Sequence, residues 1–313
     1  MHKMIKGTYT FYQDGKQINK SSNIVTKFGK RFFTDFMAGN IKNLNKDMAF
    51  GIGTTAAADT DTRLEFEFYR CPVTLVSTDI QTVSNVTTYS IVYKTTIPAN
   101  VAGTISEVGL YPSTRTSFLN FDSKFISDFS NYQNWTTSTG FNPAVTTTNA
   151  KIGSDLLTMS SNSTSAQEYK ATVNLDLSGY SDLDTIKLAY YKNNNNLQNI
   201  ILKFYHTDSD YYSVTLTPAS GTGYKISSDI PLSTIFANST GSVDRSQISK
   251  VGITVTPTTS NTTTVGFDGL RINDEDTFDP TFGLLSRSVL SSPYLVKSAG
   301  RQVDVEYKLD LDF

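Results

Sequence analysis

Cysteine is nearly missing from this 313-residue sequence, with Cys71 the one example. A lone thiol closes no intrachain disulfide, so burial and hydrogen bonding must hold the fold. Beside Pro72, Cys71 reads as a small strand residue and not as a reactive thiol. Histidine is almost as scarce: His2 and His206 are the two copies. So few cysteines and histidines exclude the common zinc sites. A Ser-His-Asp triad would have to recruit one of the two, and His206 reads as the end of a strand. GxSxG and HExxH are absent, and the pair Gly51 and Gly53 lacks the Lys-Ser/Thr of a phosphate-cradling loop. Charge is low at 18%, the formal net charge is -2 and the pI is about 5.7. No basic field exists to draw in nucleic acid. No apolar run is long enough to cross a membrane as a helix. The N-terminus has lysines but no apolar core, so it is not a secretory signal, and the expected place of synthesis is a cytoplasm.

Thr, Ser and Asn take the place of the missing charge. That composition suits strands with one wet face joined by short polar turns. Residues 8–12, 65–76, 87–97 and 104–111 read as strands, with Asp14-Gly15 as a tight turn. The last eleven residues alternate most cleanly: Val303, Val305, Tyr307, Leu309, Leu311 and Phe313 against Asp304, Glu306, Lys308, Asp310 and Asp312. A helix is expected over 27–38, capped by Thr26, with Phe28, Phe32 and Phe36 on one face and Gly39 after its end. Glycines alternating with apolar residues over Met48–Thr55 suggest a strand passing close to another backbone.

Between about 116 and 280 the texture changes. Strand candidates recur at 170–177, 185–192, 199–206, 211–217, 250–256 and 264–272, with a short helical turn at 228–236. Asn193 to Asn196 reads as a mobile hairpin loop. There is no internal repeat, which speaks against a solenoid. Asp274, Glu275 and Asp276 read as a solvated exit linker.

Ordered along the chain stand a glycine-rich strand at Ala49–Thr55, then Asp59 to Arg70, Ile105-Ser106-Glu107-Val108-Gly109-Leu110-Tyr111, and a closing Leu285 to Leu311 that contains Ser286-Arg287-Ser288-Val289-Leu290. This set resembles a family of phage tail and baseplate-type structural proteins, over about 145 residues in two pieces. In that family the two last motifs lie much closer together, whereas about 175 residues separate Gly109 from Ser286 here. The resemblance thus implies an insertion at a surface loop, which is where chains tolerate one. The insert in turn resembles a carbohydrate-binding-module-like jelly roll of the galactose-binding type. Asp128-Phe129, Trp135, Val173 to Ser178 with Tyr180, and Phe267 to Ile272 carry that likeness. Such sandwiches bind glycans in some members and only pack or dimerise in others. Related jelly rolls often hold a structural calcium between the first and last strands, and Asp128 and Asp268 stand at those ends here. Two ordinary turn acids explain the same residues, and otherwise no cofactor is expected.

The expected fold is all-β in the main. A β-sandwich assembly domain with one packed helix, residues 1–115 and 281–313, is interrupted by a jelly-roll β-sandwich over 116–280. If Leu188, Tyr190, Leu202, Phe204, Tyr212, Val214 and Leu216 face its core, Tyr191, Tyr205 and Tyr211 face outward with Lys187 and Lys203 among them. Three tyrosines on one face could stack on sugar rings. The same pattern also fits a face packed under a neighbouring subunit. Trp135 reads as core. Acids of the insert, such as Asp155, Glu168, Asp176, Asp182, Asp184, Asp208 and Asp210, show no marked pair, so no glycan-cleaving activity is expected. The expectation is a virion protein without enzyme activity, a tail fibre, baseplate or neck component. Its partners would be other virion proteins, copies of itself and a host surface glycan, with no nucleic acid and no membrane insertion. The alternative is a purely structural neck, baseplate or capsid-decoration protein whose insert braces its neighbours.

Overall fold

The computed structural model describes residues 5–40, 46–84, 86–112, 125–130, 134–137, 144–273 and 283–312. The chain divides into two compact units, residues 1–120 with 277–313, and residues 121–276. The junctions expected at 115/116 and 280/281, and the acidic run Asp274–Asp276, fall outside the described residues.

Among the described residues, unit 1 holds a sandwich of two five-stranded sheets and a separate two-stranded sheet of Gly103–Ile105 with Leu295–Lys297. One sheet runs Lys16–Ser22, Ile5–Gln13, Val303–Asp312, Val86–Ile97 and Thr74–Val83, every neighbour antiparallel. The C-terminal strand is therefore central, and its alternation makes sense there. Val303, Val305, Tyr307 and Leu309 are buried, while Asp304 and Asp310 on the wet face accept hydrogen bonds from the hydroxyls of Thr96 and Ser90. The second sheet runs Ile24–Val25, Ser286–Val289, Glu107–Pro112, Lys46–Gly51 and Glu67–Pro72. Across the gap Phe11 meets Phe50 edge-on at 6.4 Å between ring centroids. Tyr9 Oη and Ser286 Oγ share a buried hydrogen bond of 2.7 Å. The helix Lys27–Met37 starts where Thr26 Oγ1 accepts from Gly29 N at 2.9 Å. It buries Phe32, and Phe28 and Phe33 pack partly against the same core. Gly39 follows with φ +78°, a left-handed stop that costs glycine little.

Unit 2 is a second two-sheet sandwich. One sheet runs Ala144–Thr146, Leu156–Ser161, Thr263–Asn273, Thr185–Lys192 and Gly223–Ile226, with Phe125–Ser127 and Ile230–Pro231 attached to its middle strands. The other runs Trp135–Thr137, Gln167–Leu175, Ile248–Pro257, Leu197–Tyr205, Tyr211–Leu216 and Ser239–Thr240. All six strands expected in this region are present. The short helix Leu232–Phe236 lies inside the expected turn and buries Leu232, Ile235 and Phe236. Trp135 is core, as expected, 4% exposed and stacked on Phe129 at 5.1 Å.

One expectation is corrected here. Asn193 to Asn196 does not join two paired strands. Thr185–Lys192 pairs with Thr263–Asn273 and Gly223–Ile226 in the first sheet. Leu197–Tyr205 pairs with Ile248–Pro257 and Tyr211–Leu216 in the second. The asparagines carry the chain from sheet to sheet, and they are tied down. Asn193 N donates to Thr264 O (3.1 Å), Asn194 Nδ2 to Thr262 O (3.0 Å), and Thr258 N to Asn196 O (2.7 Å). A four-residue polar loop between alternating strands looks the same in sequence whether it closes a hairpin or crosses a sandwich.

Candidate functional site

The motifs quoted from the two ends of the chain meet in unit 1 around one carboxylate. Glu107 is fully buried on the strand Glu107–Pro112. Its Oε1 accepts from Gly53 N (3.0 Å) and Phe66 N (2.8 Å); its Oε2 accepts from Glu65 N (2.9 Å) and Arg287 Nε (3.0 Å). Arg287 Nη1 also donates to Asp61 Oδ2 at 2.9 Å. Glu65 Oε2 accepts from Thr54 N and Thr55 N, 2.9 Å each. The alternating glycines now have a reason. A Cβ on Gly51 would sit 2.4 Å from Glu107 Oε1 and 2.6 Å from Phe66 O; on Gly53 it would sit 2.5 Å from the same Oε1. The close approach expected at these glycines is thus to a carboxylate as well as to a backbone. Both oxygens of Glu107 are taken by protein donors, so the cluster is a tie between loops and strands and not a vacant site.

Unit 2 separates the five residues proposed from the sequence for glycan contact. Tyr191 and Lys187 lie on Thr185–Lys192, in the first sheet. Tyr205, Lys203 and Tyr211 lie on neighbouring strands of the second sheet. The expected three-tyrosine face therefore does not exist, because the Asn193–Asn196 loop changes sheets between Tyr191 and Tyr205. Lys187 is buried, with its Nζ 3.3 Å from Asp229 Oδ1. Tyr191 stands opposite Gly266 and Tyr224.

On the second sheet the outward side chains form cross-strand rows. Tyr211, Tyr205 and Lys250 stand directly opposite one another in one row. Ser213, Lys203, Gly252, Lys170 and Thr136 form the next. Tyr205 faces outward but is only 1% exposed. It lies down in the space left by Gly252, where a Cβ would come within 2.8 Å of Tyr205 Cε2 and 3.0 Å of Glu168 Oε1. Lys170 Nζ covers its ring at 4.2 Å from the centroid, and Tyr211 flanks it at 5.0 Å. Its hydroxyl donates to Glu168 Oε1 at 2.6 Å. Lys203 Nζ is 3.1 Å from the same oxygen, and Lys170 Nζ is 3.5 Å from Glu168 Oε2. Burial tends to raise the Glu168 carboxyl, but the Tyr205 hydroxyl and Lys203 outweigh it and hold the group below its usual value. Burial and the same carboxylate push the Tyr205 hydroxyl well above its usual value.

Tyr205 is therefore an anchor for Glu168 and not a stacking platform. Half-exposed groups on this face include Tyr211, Lys203, Glu168, Lys170, Ser213 and Lys250. Glu168 read as one of several unpaired acids, and Lys170 and Gly252 were not singled out in the sequence. Their strands are joined to Leu197–Tyr205 only through the register of a sheet that runs out of sequence order, and no local pattern records that.

The two acids named for calcium, Asp128 and Asp268, each have local partners. Asp268 is fully buried on the outer side of the first sheet. Its Oδ2 accepts from Lys151 N (2.7 Å), Ile152 N (3.0 Å) and Tyr224 Oη (2.5 Å). Burial pushes its carboxyl up to about 7 against the pull of those donors. Asp128 is exposed and accepts from Ser130 N and Ser130 Oγ. Calcium takes six to eight oxygens, and among the described residues no three His, Cys, Asp or Glu side chains converge. Asp128 and Asp268 each serve a local turn or loop. No helix among the described residues is long and apolar enough to cross a membrane.

No protein-family model matches this chain, and a search of curated proteins found no match. Among solved structures, the chain is similar to an exo-β-agarase at 14% identity and TM-score 0.37, over 49% of this chain and 25% of that one. It is similar to a family 11 carbohydrate-binding module from Clostridium thermocellum, in complex with a β-1,3-1,4-mixed-linked tetrasaccharide, at 16% identity and TM-score 0.35, over 49% of this chain and 96% of that one. It is similar to the enzymatically active domain of bacteriophage CBA120 tailspike protein 4 at 15% identity and TM-score 0.30, over 47% of this chain and 20% of that one. The match spans a quarter of the agarase's length. These are distant likenesses of shape over about half of the chain, and the site is read from its own residues.

Proposed function

We propose that this chain is a non-enzymatic virion structural protein, a tail fibre, baseplate or neck component. It is made in the host cytoplasm and carried on the particle. Unit 1 assembles with other virion proteins and with copies of itself. Unit 2 contacts a host surface glycan through the outer face of its six-stranded sheet. The motif set that converges on Glu107 and Arg287 supports the first part. One observation carries the second part: Tyr211, Lys203, Glu168 and Lys170 are grouped half-exposed on one sheet face. A tyrosine ring offers an apolar surface to the face of a sugar, and the ions beside it can exchange hydrogen bonds with sugar hydroxyls. Tyr205, beneath them, fixes the carboxylate.

The test is a glycan-array and isolated-envelope binding assay on the full chain, with Tyr211→Ala and Tyr191→Ala variants. Specific binding should fall about tenfold or more in Tyr211→Ala, as for a central aromatic contact, and stay unchanged in Tyr191→Ala, which alters the other sheet. A second reading has its own support. Glu168 is already engaged by three side chains of its own unit, as suits a face that braces a neighbouring subunit. Failure of the wild-type chain to bind any glycan or envelope would move the face to that role.

A further inference from the structure

The outer face of the six-stranded sheet in unit 2 holds more cations than anions. Lys203, Lys250 and Lys170 stand on three neighbouring strands and share that face. Two carboxylates answer these three ammonium groups. Glu168 takes two of them: Lys203 Nζ lies 3.1 Å from its Oε1 and Lys170 Nζ 3.5 Å from its Oε2. Lys250 Nζ donates to Asp208 Oδ1 at 2.6 Å, and Asp208 is open to water. A further acid, Asp210 beside Tyr211, is bound back into its own turn, where its Oδ2 accepts from Thr207 Oγ1 at 2.7 Å. Both partner acids register the surplus. Glu168 is held below its usual value in spite of its burial, and Asp208 is held low by Lys250 first and by Lys170 as well. The whole chain has a formal net charge of -2, so the positive face is local and not the overflow of a basic protein.

The chemistry of these groups says what they take. An ammonium group only donates hydrogen bonds. The hydroxyls of a neutral sugar ask for acceptors as well as donors, yet the oxygens of Glu168 are already engaged by Tyr205 Oη, Lys203 and Lys170. A carboxylate or sulfate is all acceptor, and it answers surplus ammonium donors with charge-assisted bonds. The stacking surface stands beside them. Lys203 Nζ lies 5.1 Å from the Tyr211 ring centroid, so a pyranose seated on that ring holds its exocyclic substituent within reach of the ammonium group. Gly252 stands opposite both Lys203 and Lys170 and puts no side chain between them.

We infer that this face takes a polysaccharide with an anionic group on its repeating sugar, the ring stacked on Tyr211 and the anion held by Lys203, Lys170 and Lys250. The inference rests on the glycan contact proposed above and names the class of glycan. The experiment is calorimetric titration of the full chain with polygalacturonate and with dextran sulfate, each beside its neutral counterpart, methyl-esterified polygalacturonate and dextran. The two acidic polymers separate a carboxylate from a sulfate as the group recognised. The variants are Tyr211→Ala, Lys203→Gln and Glu168→Gln, with Lys16→Gln, an exposed lysine of unit 1, as the control for an equal loss of charge. Trp135 fluorescence checks that unit 2 is folded in each. At least one acidic polymer should bind roughly tenfold or more tightly than its neutral counterpart, and added salt should weaken it. Tyr211→Ala and Lys203→Gln should each weaken that binding about tenfold, and Lys16→Gln should leave it unchanged. Glu168→Gln releases two ammonium groups and should tighten it. Equal binding of acidic and neutral polymers overturns the inference while leaving a glycan contact standing. Acidic binding that survives Tyr211→Ala is a bare attraction of opposite charges and overturns it too, as does acidic binding that survives Lys203→Gln or is lost in folded Glu168→Gln. A wild type that binds none of the four polymers overturns the inference, and the array and envelope assay then decides whether the glycan reading falls with it.

Discussion

Arg287 and Glu107 in unit 1 leave only 4% and 0% of their side chains to solvent, whereas Lys203 and Glu168 in unit 2 leave 20% and 14%. Both are carboxylates tied to cations and to their own sheet. They differ in the medium around them. Water and salt screen the second cluster and can replace a lost partner. They reach the first hardly at all, so a missing partner leaves an uncompensated buried charge. The Glu107 cluster holds strands of unit 1 together, while the Glu168 cluster of unit 2 stands on a face that something else can touch.

The sharpest way to break that comparison is Arg287→Ala. It leaves Glu107 and Asp61 facing each other without their cation, and the expected cost to unit 1 is about 3–5 kcal/mol. Trp135, the sole tryptophan, lies in the core of unit 2, so its fluorescence follows unit 2 alone. Calorimetry should show one component falling steeply in the variant, while the midpoint followed by Trp135 fluorescence holds. An equal fall in both would mean that the units do not unfold separately.

Unit 2 has buried ionisable groups as well, and Asp268 among them gives the next largest effect. Asp268 is held up to about 7 by burial, above the ordinary carboxylate value near 4 that applies in the unfolded chain. The folded state therefore holds the proton more tightly than the unfolded state between those values. Stability from this group is complete at acid pH and is lost as pH rises towards and through 7, by at most about 4 kcal/mol. The midpoint followed by Trp135 should thus decline from pH 5 to pH 8. Asp268→Asn keeps an acceptor oxygen for Lys151 N, Ile152 N and Tyr224 Oη and should flatten the decline. A slope unchanged in that variant would assign it to other groups.

The sequence made the phase of individual strands readable, because burial on one side writes itself as alternation: Val303 to Leu309 is the clearest case. Thr26, Phe32 and Gly39 marked the helix for the same local reasons. The edge strand Thr74–Val83 was caught only at its start, since every residue in it is exposed and no alternation results. Register between distant strands left no trace at all. Glu168 reads as one more solvated acid until Lys203 and Tyr205, from a strand about 35 residues on, are laid beside it. The same blindness put Tyr191 beside Tyr205. Strand phase was right for both residues, and the sheet assignment was wrong.

Tyr205→Phe tests the outer cluster with the smallest change. It removes one hydroxyl and keeps the ring under Lys170 and beside Tyr211. Glu168 loses its 2.6 Å donor but keeps Lys203 and Lys170 and gains access to water. The stability cost should therefore be about 1 kcal/mol or less, well below that of Arg287→Ala. The charge state is the more sensitive readout. The Tyr205 hydroxyl leads the contacts that hold the Glu168 carboxyl down, so its removal should move that group up towards the ordinary carboxylate range. A depressed carboxyl lends stability above its unfolded value and loses it as pH falls through the folded one, so the variant should also begin to lose stability at a higher pH on acidification. Carboxyl-selective NMR titration of Glu168 in both proteins measures the shift directly. If the titration of Glu168 does not move, the lysines alone hold the carboxylate, and Tyr205 is packing and nothing more.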